Sequence, residues 1–148
     1  MVIRYQLFDQ ENLLIQKIKG HFIVEKYLPY IGYIMRQIVT DDVKSVLIDF
    51  RDLQFDTIPE DFDEVMDRMI AIRKNIIEKR IKRNDVNIVF WVVNPLPTVI
   101  AHLFKINFSD KRYSFCSTAE QVVHTLNLPG HMMDIETIIM KLERTFPE

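Results

Sequence analysis

The stretch that decides the fold is VNIVFWVV, residues 86–93. It is almost continuously apolar, rich in β-branched and aromatic residues, and ends at Asn94-Pro95. Such a run is typical of a strand that is buried on both faces, as in the middle of a parallel sheet. Residues 46–50 have the same character and predict a second central strand. The carboxylate of Asp49 inside this strand needs a partner, and a backbone or basic neighbour would supply one.

Outward from these two strands, the pattern alternates between strand and helix. Residues 3–8 and 13–19 predict an N-terminal hairpin that Gly20 ends, and residues 113–116 predict a fifth strand. Apolar spacings of three and four, with capping signals, predict the helices. The predicted helices span residues 24–38, 57–81, 97–104, 117–126 and 134–146. The first is expected to start near residue 26, because Pro29 suits a first helical turn. The fourth begins with a capping box at 117–120.

The predicted element order is ββαβαβαβα plus a C-terminal helix. Strand–helix alternation favours an α/β fold with a mixed, mostly parallel five-stranded sheet and helices packed on it. We expect residues 3–127 to form this domain and residues 128–148 to add an amphipathic helix. That helix either covers the sheet or pairs with a second copy in a homodimer, and the sequence leaves both options open.

Composition excludes several classes of protein. The 148 residues include 19 Lys and Arg against 21 Asp and Glu, a net charge of −2, which does not favour a nucleic-acid partner. The apolar runs are too short for a transmembrane segment. The single cysteine, Cys116, cannot form a disulfide within the chain, so we expect a cytoplasmic protein.

The sequence contains no recognisable catalytic, metal or cofactor motif. Neither a G-x-G-x-x-G nor a Walker A pattern occurs, and there are only three glycines. Cys116 has no evident base beside it, so we interpret it as a small buried hydrophobe. The histidines lack the spacing of metal ligands; they are His21, His102, His124 and His131. We therefore expect no catalytic residue, no metal and no cofactor.

Four features together are similar to a known family. Gly20 precedes the first helix, residues 46–55 (VLIDFRDLQF) form a strand and its exit, an apolar strand leads into Asn94-Pro95, and residues 115–122 combine a strand with an Ala-containing helix start. In this the chain resembles the STAS domains of anti-sigma-factor antagonists and sulfate transporters, above all the stand-alone SpoIIAA-like proteins. The resemblance spans roughly residues 3–127. It implies a non-catalytic cytoplasmic regulatory module that binds another protein.

The chain departs from the family at the phosphorylation motif. Antagonists of the phosphoswitch type carry Asp-Ser-Ser-Gly after the third strand, whereas this chain has Asp56-Thr57-Ile58-Pro59. The second serine falls on Ile58 and the glycine on Pro59. Thr57 is the one hydroxyl nearby, and a helix N-cap explains it better than phosphorylation does.

The candidate binding site follows from the architecture. Ligands of open α/β sheets bind outside the carboxyl ends of the strands. The side chains expected there are Arg51, Asp52, Asp56, Thr57, Asn94 and Thr98. We predict a protein-binding surface over residues 52–63.

Two other functions remain open. In the first, the domain carries a small apolar or anionic, lipid-like ligand in an apolar cavity under the third helix. The residues expected around that cavity are Trp91, Leu96, Ile100 and Phe104. In the second, the chain is an enzyme whose catalytic residues are scattered over the strand ends.

Overall fold

The computed structural model describes residues 1–55, 62–78, 86–107 and 112–147. The strands are β1 (Val2–Phe8), β2 (Leu13–His21), β3 (Ser45–Asp49), β4 (Leu53–Gln54), β5 (Asn87–Trp91), β6 (Arg112–Cys116) and β7 (Arg144–Phe146). The helices are α1 (Val24–Thr40), α2 (Phe62–Glu78), α3 (Pro95–Asn107), α4 (Ala119–Leu126) and α5 (Ile135–Met140), with short 3-10 turns at Asp9–Glu11 and Gly130–Met132. The predicted start and end of the second helix lie outside the described residues.

The strands form one mixed sheet in the order β6-β5-β3-β2-β1-β7, and β4 pairs separately with the end of β2. β2, β3, β5 and β6 are parallel to one another, and β1 is antiparallel to both β2 and β7. The predicted mixed, mostly parallel α/β fold is therefore confirmed. The described part of the sheet has seven strands rather than five, because β4 and β7 were not predicted.

Helices cover both faces of the sheet. Helices α1, α2 and α3 pack on one face and enclose a first core that contains Val46 and Phe90. Helices α4 and α5 pack on the other face and enclose a second core that contains Leu47 and Val89. Successive side chains of a strand point to opposite faces, so β3 and β5 must be apolar on both. The prediction that these two strands are central and doubly buried is confirmed.

The predicted helix over residues 134–146 is wrong in its second half. α5 ends at Met140, and residues Arg144–Phe146 form β7 against β1. The apolar residues keep a helical spacing beyond Met140. However, the edge of β1 offers backbone N–H and C=O groups, which pair with β7 and would lack these partners if α5 were longer. Pairing there also brings the Phe146 ring to 5.3 Å from that of Tyr30.

Three predicted boundaries also need correction. Gly20 does not end the second strand: it takes a φ of +83°, which glycine tolerates, and β2 runs on to His21. α1 begins at Val24, so Pro29 lies inside the helix instead of in its first turn. The cap of α4 is Thr118, one residue later than predicted, and its Oγ1 accepts a hydrogen bond from the Gln121 N–H at 3.2 Å.

The ends of the parallel strands position the candidate site. β3 ends at Asp49, and the next residues turn to reach β4, which lies beside the end of β2. α5 lies on the same face of the sheet as the odd-numbered residues of β2. Within the described part of the chain, no helix combines the length and apolar character needed to cross a membrane.

Candidate functional site

A buried carboxylate lies at the end of β3. Asp49 has no exposed surface. Its Oδ1 accepts hydrogen bonds from the backbone N–H of Arg51 at 3.0 Å and from Arg51 Nε at 2.9 Å. Its Oδ2 accepts from Arg51 Nη2 at 2.8 Å and from Lys17 Nζ at 3.1 Å. The carboxylate in the strand thus has both the backbone partner and the basic partners that the sequence led us to expect.

The two cations extend this arrangement to the surface. Lys17 Nζ also lies 2.6 Å from Asp52 Oδ2, and Arg51 donates to both carboxylate oxygens of Glu136 at 2.7 and 3.1 Å. Negative and positive groups therefore alternate from Asp52 through Lys17, Asp49 and Arg51 to Glu136, which we call the charge network. It ties β2, β3 and α5 together.

Protonation in the charge network follows from these contacts. Although partial burial opposes the charged form, hydrogen bonds to Asp49 and Glu136 raise the pKa of Arg51 above its ordinary value. The hydrogen bond from Lys17 lowers the pKa of Asp52, against a smaller opposing effect of burial. Both groups are held in their charged forms at neutral pH.

The guanidinium of Arg51 stacks on an aromatic ring. Its central carbon lies 3.5 Å from the centroid of Trp91, which is 2% exposed. This is the cation–π geometry that arginine favours over lysine. The indole Nε1 of Trp91 is buried with no hydrogen-bond partner among the described residues. The ring therefore serves Arg51 as a flat apolar support.

The structure brings together three of the residues that the sequence placed at this site. Arg51 and Asp52 belong to the charge network, and Asn94 Nδ2 donates to the Arg51 carbonyl at 2.9 Å. Thr98 has a local role, because its hydroxyl donates to the Asn94 carbonyl at 2.7 Å in the first turn of α3. The last two predicted residues, Asp56 and Thr57, lie outside the described residues, as do the predicted N-cap and phosphorylation at Thr57.

A pocket of about 280 Å³ opens beside the charge network. Its lining consists of Arg4, Lys17, Lys19, Arg51, Asp52, Glu136, Ile139 and Met140. Sequence reasoning missed most of these residues. The alternation of Lys17 and Lys19 along β2, and the hairpin register that sets Arg4 opposite Lys17, could have indicated the basic wall. No local sequence pattern indicates that Glu136 belongs to the site, because its approach to Arg51 depends on tertiary packing.

The cavity predicted under the third helix is not formed by the four residues expected around it. Trp91 belongs to the second core, whereas Ile100 and Phe104 belong to the first. The rings of Phe90 and Phe104 pack at 5.9 Å on that first side. The placing of Trp91 under the third helix is therefore wrong, because neighbouring residues of a strand face opposite sides of the sheet and Phe90 is the one that faces α3.

The histidines and the cysteine whose contacts are described have ordinary structural surroundings. His102 stacks on Phe115 at 4.0 Å, and His131 Nε2 lies 3.0 Å from Glu11 Oε1. Cys116 is buried, with its Sγ 3.5 Å from the hydroxyl of Thr125. Within the ranges that the structure describes, no three His, Cys, Asp or Glu side chains are grouped closely enough to hold a metal ion.

The architecture and site define a three-layered α/β protein with a charged edge where its parallel strands end. Solved structures of anti-sigma factor antagonists are similar to this chain. One from Mycobacterium paratuberculosis has 14% identity and a TM-score of 0.48, with 85% of this chain and 95% of that chain covered. Unphosphorylated SpoIIAA has 11% identity and a TM-score of 0.44, with 85% of this chain and 99% of that chain covered. The phosphorylated Bacillus cell fate determinant SpoIIAA has 10% identity and a TM-score of 0.42, with 82% of this chain and 98% of that chain covered.

These antagonists are the proteins to which the sequence resemblance pointed. At such identities the likeness concerns the fold. No family model and no curated protein matches the chain.

Proposed function

We propose that this chain is a non-catalytic regulatory module that binds another protein through residues 52–63 and the adjoining first turns of α2. The observation that carries the proposal is an exposed acidic surface at this position. Its described members lie in the first turns of α2 and are Asp63, Glu64 and Asp67. The similarity of residues 46–55 to the third strand and exit of the anti-sigma-factor antagonists supports the same location.

The charge of this surface indicates the kind of partner. The three exposed carboxylates of α2 attract a protein that presents a basic face, whereas Asp52 is already paired with Lys17. Complementary charges of this type raise the association rate and help to reject wrong partners. We therefore propose a partner with exposed Lys and Arg, and we expect the binding to weaken as salt is raised.

Residues 52–55 and Phe62, which belong to the described part of this segment, are in contact with the rest of the domain. The Gly20 N–H donates to the Asp52 carbonyl, and the Phe22 N–H donates to the Gln54 carbonyl, both at 2.9 Å. Phe55 packs on Phe22 with ring centroids 4.9 Å apart, and Phe62 is buried in the first core. These contacts fix the described residues near both ends of the segment to the domain.

The compartment and the assembly are parts of the same proposal. Cys116 is free and buried, which fits a reducing compartment, so we propose that the module acts in the cytoplasm. A second copy of the chain is also a candidate partner. A homodimer would use the exposed apolar side chains of Met133, before α5, and Met140, at its end, on the face of the sheet opposite to α2.

A photo-crosslinking experiment tests the partner-binding surface. p-Benzoylphenylalanine replaces Asp63 or Asp67 in the full chain, which is expressed in its own host and irradiated. The matched control carries the same group at Glu120, an exposed acid on α4. We expect one specific adduct from positions 63 and 67 and none from position 120. The proposal is wrong if the acidic positions give no adduct, or if all three positions give the same one.

A further inference from the structure

We propose that the pocket between β1, β2 and α5 binds a small organic anion through a phosphate or carboxylate group. This goes beyond the protein binding proposed above, because Asp52 is the one lining residue of the pocket that also belongs to the segment 52–63. It is open on the face of the sheet that carries α5. The inference rests on the positions of four cations, on the partners that they have, and on the shape of the space between them.

The hairpin register brings three of the cations together. Arg4 of β1 is directly opposite Lys17 of β2, and Lys19 follows two residues later on the same face. Arg51 closes the group from the end of β3. Like charges directly opposite each other on paired strands destabilise a sheet. The charge network offsets this repulsion for Lys17 and Arg51, and a negative group of a ligand would offset it for Arg4 and Lys19.

The acids of the pocket neutralise only two of these cations. Asp52 is bound to Lys17 at 2.6 Å, and Glu136 is bound to Arg51 through both oxygens. Arg4 donates a hydrogen bond to the Met140 carbonyl at 3.4 Å, and Lys19 acts on Asp52 through its charge, whereas the close ion pair of Asp52 is with Lys17. Arg4 and Lys19 are thus the two donors available to an incoming anion.

The shape and the remaining walls define the class of ligand. A pocket of about 280 Å³ is just below the range of about 300–1,000 Å³ that is typical of sites for drug-sized molecules. It accepts one anionic group with a short organic part. Ile139 and Met140 supply an apolar side, and the exposed Met140 thioether adapts to the shape of that part. The ligand is therefore an amphipathic small anion such as an aryl or alkyl phosphate or carboxylate.

Titration with phenyl phosphate tests this inference. Binding is followed by calorimetry and by the fluorescence of Trp91, the sole tryptophan, at fixed ionic strength. We expect saturable binding to the unmodified chain, and weaker binding of inorganic phosphate, which lacks the apolar part. Lys19→Gln and Arg4→Gln should each weaken binding by about tenfold, as expected for a lost charge-assisted hydrogen bond.

Lys26→Gln is the matched control, because Lys26 is an exposed lysine on α1, across the sheet from the pocket. It should leave binding within about twofold of the original. Lys19 is itself exposed, so Lys19→Gln carries the test even if Arg4→Gln fails to fold. The inference is overturned by absence of saturable binding, or by an equal loss in the Lys19 and Lys26 variants. Binding only to vesicles that contain phosphatidylglycerol, with none to phenyl phosphate, would also overturn it.

Discussion

Replacing Asp49 with Asn removes the central charge of the charge network and keeps the shape of the side chain. The amide oxygen still accepts from the backbone N–H and the Nε of Arg51. The amide NH₂ then faces Arg51 Nη2 and Lys17 Nζ, which are themselves donors. Two charge-assisted hydrogen bonds are lost, and each is typically worth about 1.5–3 kcal/mol.

The net loss is smaller than that sum, because the cations keep other partners. Lys17 and Arg51 are 16% and 18% exposed, and they remain bound to Asp52 and Glu136. Removing one member of a fully buried pair costs about 3–5 kcal/mol. We therefore expect Asp49→Asn to lower the free energy of unfolding by about 2–4 kcal/mol.

Urea unfolding at pH 7 measures this loss, with circular dichroism as the signal. A change of that size moves the midpoint by about 1–2 M urea at an unchanged slope. Asp52→Asn is the matched control, since it makes the same chemical change on a carboxylate that is 60% exposed. It should cost less than about 1 kcal/mol. Equal effects of the two variants would refute the conclusion that burial of Asp49 sets the strength of the network.

The remaining predictions concern the stacked arginine, the protonation of Asp52 and the cap of α4. Arg51→Lys should lower the free energy of unfolding by about 1–2 kcal/mol and change the fluorescence emission of Trp91, because the planar stack is lost. Unchanged emission and stability would contradict this. The lowered pKa of Asp52 stabilises the fold above the ordinary Asp pKa of about 4, and this contribution disappears as pH falls through the lowered value. The difference in urea midpoint between the original chain and Asp52→Asn should therefore shrink below about pH 4, and a constant difference would argue against it. Thr118→Ala should cost about 1 kcal/mol by removing the acceptor for Gln121 N–H, while Thr118→Ser should not; calorimetric melting compares them.

The apolar pattern predicts most of the fold because each central strand carries its own signal. Val46 and Leu47 are both buried, on opposite faces, and that double requirement appears in the sequence as an unbroken apolar run. Short edge elements carry no such signal. β4 has two residues and β7 has three, and both exist because a neighbouring strand offers free backbone groups.

The candidate site is predictable only in the part that follows directly from chain order. Arg51 and Asp52 follow a predicted strand, so their position at the sheet edge could be inferred. Lys17 reaches Asp49, and Glu136 reaches Arg51, from distant segments, and single-sequence patterns do not encode which surfaces meet. The misplacing of Trp91 has a related cause. The apolar run predicts that the strand is buried on both faces, but it does not indicate which of its residues faces α3.

The pairing of β1 with β7 has a consequence for folding kinetics. It joins segments from opposite ends of the sequence, with Ile3 opposite Phe146. Contacts between distant segments carry the largest loop-closure entropy, so we expect this pairing to form after the central sheet. Amides of β7 should accordingly exchange with solvent through small local openings, well before those of β3 and β5. Arg4 is set opposite Lys17 by the β1–β2 hairpin, whose strands are neighbours in sequence, so the basic side of the pocket does not depend on this late pairing.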